Sequence, residues 1–261
     1  MRLLLNNAFS AAPIVHPFVA GWVIAPADID VAELVGLRAS DVAAGDCALI
    51  PLAEFAFLHE THQIVPDVAV VAGNAGMVAM RCPVRPDEIG ITPVRLWEVD
   101  GAAEILARAT LHSFYGIHAA IWTRSDAEPA EVVIVSGATA IALPEAGFSE
   151  DLCRAWVILT GMRAVDHVLV APRAVDREAL EPMLRFLALL LATGHERRRE
   201  LRREIAEPFG LDRDRLAEVQ NAYTFALNAE DRASLALLLQ RGTPGSAYPM
   251  VEEIAFLPDA P

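Results

Sequence analysis

A chain of 261 residues, 54% of them hydrophobic, can bury a large core as one domain or as two lobes of about 100–150 residues each, which excludes a disordered protein. Its net charge of −14 argues against nucleic acid or an anionic membrane as partner, because both are held mainly through Lys and Arg. The most apolar charge-free run, Phe186 to Thr193, falls far short of the roughly 20 residues that a membrane-spanning helix needs.

The start carries one charge, Arg2, and its apolar run Leu3–Leu5 is broken at once by Asn6 and Asn7. That is unlike a secretory leader, so a cytoplasmic protein is expected. Leu3 to Leu5 predict a first strand, and Trp22 to Ala25 a second, closed by Pro26. Asp30 is placed to cap a helix over about Val31–Ala43. Cys47 to Pro51 form a short apolar run ended by a proline, followed by a helical stretch to Leu58. A strand feeding directly into a helix sets free backbone N–H groups at the carboxyl edge of a sheet, where open α/β sheets bind ligands.

His59 and His62 flank Glu60, but their spacing of three differs from the zinc-protease helix, so a solvated turn is expected and no metal. Gln63–Ala72 and Met77–Cys82 are β-rich runs separated by Gly73-Asn74-Ala75-Gly76. That turn either faces a ligand or closes a hairpin. Pro83 to Pro86 mark a first crossing between lobes. Then come a strand over Val94–Val99, a helix over Ala102–Phe114, a strand over Ile117–Thr123 and a polar loop over Ser125–Pro129. A strand over Glu131–Val135 ends in Ser136-Gly137-Ala138-Thr139 and a short helix, a turn chemistry suited to anions.

A helix over Glu150–Leu159 closes at Gly161, and Val165–Ala171 is one more strand. Pro172 marks the second crossing. Helices are expected over Arg177–Leu191, Glu196–Ile205, Leu211–Ala222 and Glu230–Gln240, then an irregular proline-containing tail. The three widely spaced cysteines, Cys47, Cys82 and Cys153, each sit in apolar sequence and are expected reduced and buried. No internal repeat is evident. The expected architecture is α/β with two lobes and a helical C-terminal part. Lobe 1 comprises residues 1–84 and 173–261, and lobe 2 residues 85–172.

Several segments, in order, resemble the chorismate dehydratases of the futalosine route to menaquinone and their sister enzyme dihydroxynaphthoate synthase. They are Ala48-Leu49-Ile50-Pro51 with Glu54-Phe55, Leu96 to Gly116, Ile134 to Leu143, and Asp151-Leu152, Ala155-Trp156 and Thr160-Gly161. The resemblance implies a type II periplasmic-binding-protein fold and a small organic ligand, a carboxylate in that family, in the cleft between lobes. It also implies elimination of water from chorismate without metal or organic cofactor, with menaquinone biosynthesis as the context. The chain departs from the family at polar positions: Ser10 stands for an asparagine, Met80 for a serine, Val99–Ala103 for a hydroxyl-rich turn, and Ala138 for an aspartate.

Elimination needs a group to take a proton and donors to help the hydroxyl leave. Glu98 and Asp100 are the candidate bases, although Asp100 could instead cap a helix and Glu98 be a surface charge. Asn7 and Ser10 are candidate donors, Asn74 a polar cleft contact, and Ser136, Gly137 and Thr139 a carboxylate nest or mere helix caps. Arg81 either balances ligand charge or points outward. The alternative is a solute-binding or sensor protein of the same fold without chemistry, monomeric or homodimeric. A hydrolase elbow is absent, since Ile134 and Ala138 occupy the glycine positions around Ser136. A Gly-x-Gly-x-x-Gly after the first strand is absent too.

Overall fold

The structure, a computed structural model, describes residues 1–127, 130–142 and 147–259. In chain order the elements are β1 (Arg2–Asn6), α1 (Ala12–Val19), β2 (Asp30–Leu34), β3 (Cys47–Pro51), α2 (Leu52–Leu58), β4 (His62–Ala72) and β5 (Val78–Cys82). Next are β6 (Ile91–Leu96), α3 (Gly101–Tyr115), β7 (His118–Thr123), β8 (Val132–Ser136), α4 (Gly137–Ile141), β9 (Phe148–Asp151), α5 (Leu152–Thr160) and β10 (Ala164–Pro172). The chain ends with α6 (Arg177–Glu196), α7 (Arg198–Ala206), α8 (Arg213–Asn221), β11 (Tyr223–Thr224) and α9 (Ala229–Gly242).

The strands form two sheets, ordered β11-β4-β10-β3-β1-β2 and β7-β6-β8-β5-β9. β1 runs parallel to β2 and β3, and β6 parallel to β7 and β8, while β10 and β5 run antiparallel to their neighbours. Leu3, Leu4 and Leu5 and all of β3 are buried, as expected of parallel strands covered on both faces. Each such large apolar side chain contributes about 1.5–3 kcal/mol on burial.

The expected lobe boundaries do not follow these sheets. β5 lies before Pro83 yet pairs with β8 and β9, and β10 lies before Pro172 yet pairs with β3 and β4. The chain therefore passes between sheets over residues 73–77 and again over 152–163. The prolines end strands, which is all their missing N–H dictates. Gly73 to Gly76 are not a hairpin either, because β4 and β5 belong to different sheets. The two passages touch: Gly76 N–H donates to Asp151 Oδ2 at 2.8 Å.

Three local expectations also fail. Residues 22–25 are a loop rather than a strand, with Trp22 packed edge-on against His16 and under the Arg197 guanidinium. The helix expected over 31–43 is β2 followed by a 3-10 turn, Ala39–Asp41, because the exposed edge of β1 recruits the Val31-Ala32-Glu33 stretch. Residues 148–151 are a strand, so α5 starts at Leu152, capped by Asp151. Helix α1 escapes sequence reading because Pro13 and Pro17 disguise it; Pro13 falls in the first turn, where its N–H would have no helical partner, whereas Pro17 sits inside the helix and forgoes one bond. The tail is irregular except for one parallel bridge between Ile64 and Phe256. The loop expected over 125–129 and the end of the Ile134–Leu143 segment lie partly outside the described residues. Cys47, Cys82 and Cys153 are free and buried.

Candidate functional site

A cleft of about 1100 Å³ opens where the carboxyl ends of β1, β2, β3, β6 and β8 face one another. Both sheets contribute, as the strand-to-loop logic of open α/β sheets requires. Among the residues singled out from sequence, Asn7, Ser10, Glu98, Asp100, Ser136, Gly137 and Thr139 line it. Asn74 and Arg81 do not. Asn74 is exposed on the first passage between sheets. The Arg81 guanidinium instead donates to the carbonyls of Thr139 and Ala142 at the end of α4, a pairing of cation and helix C-terminus.

The expected carboxylate nest is partly spent. Gly137 N–H donates to Met77 O at 2.9 Å, so it is not free for a ligand, and the Ser136 side chain makes no cap. Gly137 has φ +61°, and a Cβ there would press on Phe9 at 3.3 Å; glycine is required for both reasons. Asn7 Nδ2 donates to Glu33 Oε1 at 2.9 Å. Glu98 lies beyond the end of β6, exposed, with φ 52°, a conformation that costs a residue with a side chain free energy.

The cleft floor is a polar cluster that sequence reading found only in part. Asp100 caps α3 through Ala103 N–H at 2.9 Å, bearing out the cap reading. Carboxylate oxygens of Asp100 and Asp166 and a ring nitrogen of His167 all lie within 4.8 Å of one another. Asp166 and His167 are adjacent in β10, so plain alternation would aim them at opposite faces. A register shift prevents this: Val165 pairs with Val71 and His167 with Val70, leaving Asp166 as an extra, unpaired residue. Such bulges re-aim side chains next to functional sites. Their signal in the sequence was a charged pair inside the apolar strand Val165–Ala171, costly to bury without a purpose.

Burial, and then the charge of Asp166, raise the Asp100 carboxyl above the ordinary range, against His167 and the cap N–H groups. Burial also opposes charge on Asp166, but the His167 ring and a hydrogen bond from Ser10 outweigh it and hold that carboxyl below the ordinary range. The two carboxyls are thus driven apart. Burial works to lower the fully buried His167, and Asp166 and Asp100 raise it overall.

The spacing of this cluster is that of a metal site, but its hydrogen bonding does not fit one. Leu37 N–H donates to Asn6 Oδ1 at 3.1 Å, which turns the Asn6 amide nitrogen toward His167 Nε2 at 2.7 Å. Nε2 must accept, so the ring proton sits on Nδ1, the atom 3.3 Å from Asp166 that a cation would need. His59 and His62 are also accounted for by backbone carbonyls, of Ala56 and Asp46.

Around the floor stand groups that sequence reading passed over. Glu104, buried, receives both Arg108 and Arg124, and Arg124 also donates to Val99 O, which stiffens the start of α3. Phe9 and Phe209 meet edge to face at 5.8 Å, and Phe57 and Tyr248 do likewise; all four line the cleft. Gly101 is needed where α3 meets Tyr248, since a Cβ would lie 2.8 Å from both Ala53 Cβ and Tyr248 Cζ. The lining carries five acids, Glu54, Glu98, Asp100, Glu104 and Asp166, against two cations, Arg38 and Arg124.

No family model matches the chain, and no curated protein matches it in sequence. Solved structures do match in fold. A structure of protein AF1704 from Archaeoglobus fulgidus aligns with TM-score 0.67 at 16% identity, covering 92% of this chain and 95% of that one. The periplasmic aliphatic sulphonate binding protein SsuA from Escherichia coli aligns with TM-score 0.61 at 12% identity, over 100% and 94% of the chains. The ligand-binding component of an ABC-type import system from Staphylococcus aureus, with zinc bound, aligns with TM-score 0.59 at 11% identity, over 98% and 96%. At these identities the likeness establishes the fold alone: a two-lobe periplasmic-binding-protein fold of type II.

Proposed function

We propose that the cleft binds a small cyclic carboxylic compound and eliminates water from it, the chemistry implied by the resemblance to chorismate dehydratases. The reading is carried by one arrangement on the cleft floor: Asp100 and Asp166 lie with His167 within 4.8 Å of one another, and the proton affinities of the two carboxyls are pushed in opposite directions. Such a pair assigns its own roles. Asp166, the carboxyl of the pair held ionised and hydrogen-bonded by Ser10, accepts the proton from substrate carbon. The carbon–oxygen bond then breaks, and the departing hydroxyl takes the proton of Asp100 to leave as water. Transfer of the acquired proton from Asp166 to Asp100 restores the pair. The aromatic rings of Phe9, Phe209, Phe57 and Tyr248 would cover the ring faces of the substrate, and Arg124, which lines the cleft while bound to Glu104 and Val99 O, would meet its carboxylate.

The test is thermal unfolding with chorismate and related cyclic carboxylic acids, followed by chromatographic detection of the dehydrated product. A ligand at 100 times its Kd adds about 2.7 kcal/mol of stability. Asp166→Asn should lower turnover by about 10²- to 10⁴-fold, the usual worth of a general base.

A second reading is a solute-binding or sensor protein without chemistry. The excess of acids over arginines in the cleft favours it, because a dianion such as chorismate would meet like charge, as does the kinship in fold to a sulphonate binding protein. Stabilisation by a neutral or cationic compound, with no product from any cyclic acid, would select this reading.

A further inference from the structure

We propose that Asn6 is a positioning residue that keeps His167 neutral, protonated on Nδ1 alone. Asn6 and His167 are both buried, 2% and 0% exposed, so water does not compete for these groups. The Asn6 side chain has one acceptor and one donor group. Its acceptor is taken by Leu37 N–H at 3.1 Å. Reversing the amide would set its hydrogens against that N–H. Its donor therefore faces Nε2 of His167 at 2.7 Å, and an imidazolium has no lone pair there to receive it.

Every charge around the ring pulls the other way. Asp166 on the same strand and Asp100 at the start of α3 both favour a second proton on His167. Cys153 on α5 and Tyr223 on β11, the other titratable groups close to Asp166, are held protonated by burial and supply no positive charge. Asn6 is the hydrogen-bonding group that denies the second proton a place. The proton of a neutral ring sits on Nδ1, which is buried 3.3 Å from Asp166 without a hydrogen bond to it. The polarity of the chain Leu37–Asn6–His167 is thereby set by one backbone N–H.

The tautomer stands on hydrogen bonding alone. Long-range proton–nitrogen NMR of histidine-labelled, ligand-free protein tests it, with the His167 signals among the seven histidines assigned by their loss in His167→Gln. The expected wild-type spectrum, from about pH 6 to pH 8, has Nδ1 protonated and Nε2 bare. Asn6→Asp should protonate both nitrogens over the same range, because a carboxylate accepts from Leu37 N–H and from Nε2–H alike. A wild-type ring protonated on Nε2, in either charge state, overturns the proposal, and this measurement requires no variant of Asn6. A neutral ring in folded Asn6→Asp overturns it as well. Failure of turnover with the expected tautomer would remove the elimination chemistry and leave the role of Asn6 standing.

Discussion

Replacing Gly76 with alanine probes the place where the two passages between sheets touch. A Cβ at this position would lie 2.5 Å from Cys153 Cβ and closer still to its sulfur. Carbon atoms in ordinary contact are about 3.5–4.0 Å apart, so the two segments would have to separate by about 1 Å or more. Cys153 is buried on α5, and Gly76 is tied to the cap of the same helix through Asp151. Neither side yields freely in a close-packed interior. Overpacking of this kind costs about 1–3 kcal/mol. For a chain of this length each kcal/mol lowers Tm by about 2–4 °C, so Gly76→Ala should melt about 2–12 °C below wild type by circular dichroism. The companion variant Cys153→Ala removes the sulfur, and the double variant should be less destabilised than the two single changes added together, by about 0.5 kcal/mol or more. A Gly76→Ala melting point within 1 °C of wild type, or strict additivity, would refute the close approach and with it the paired passage.

The remaining predictions address the cleft floor and the core behind it. Asp100→Asn keeps the cap of α3 and should stabilise the protein at neutral pH. The folded state raises the Asp100 carboxyl above its unfolded value, so stability is lost progressively as pH rises from the unfolded value to the folded one and stays lost above it. The gain should shrink as pH falls and vanish below about pH 3.9; urea melts across that range measure it, and a gain that grows in acid would contradict the assignment. Trp156→Phe removes the indole N–H that donates to Ser234 Oγ at 3.0 Å inside the core, and because the Ser234 hydroxyl still donates to Arg163 O, the expected loss is that of one hydrogen bond, about 0.5–1.5 kcal/mol; equal stability in denaturant would refute that bond. Asp231, 1% exposed, receives the Arg163 guanidinium and caps α9 with Asn228. Asp231→Ala should cost about 1.5–3 kcal/mol, the usual worth of hydrogen bonds to a charged group, because the Arg163 left behind is 30% exposed and can meet water, and a loss under about 0.5 kcal/mol would show that the pair is solvated.

Much of the local structure was legible because it is decided by short-range physics. The apolar run Cys47–Pro51 could only be a buried strand, and its proline could only end it. Asp100 before Gly101 and Gly161 after α5 stand at helix ends where capping and positive φ are needed. The same reasoning misread residues 31–43. The apolar pattern there suits a helix in isolation, and the pairing of Asp30–Leu34 with β1 overrides it. Of the site, the loops after β1, β6 and β8 were legible as strand ends that meet a ligand. Arg81 was not, because the carbonyls it satisfies belong to α4, 58 and 61 residues away in the chain.

The sequence by itself determined the α/β class, most of the strands and helices, the buried free cysteines and the cleft residues Asn7, Ser10, Glu98, Asp100, Ser136, Gly137 and Thr139. The class, the elements and the cysteines follow from periodicity, capping or turn chemistry within a few residues, and the cleft residues were singled out with the help of the family resemblance. Tertiary structure alone decided where the chain passes between sheets, since a strand chooses its sheet through partners far along the sequence. It alone decided the cleft floor as well. A single extra residue in β10 turns Asp166 and His167 to one side, and residues 6, 37, 100 and 166 meet there only after folding. Proton affinity and tautomer belong to that meeting, because they are set by burial and by neighbours rather than by residue type.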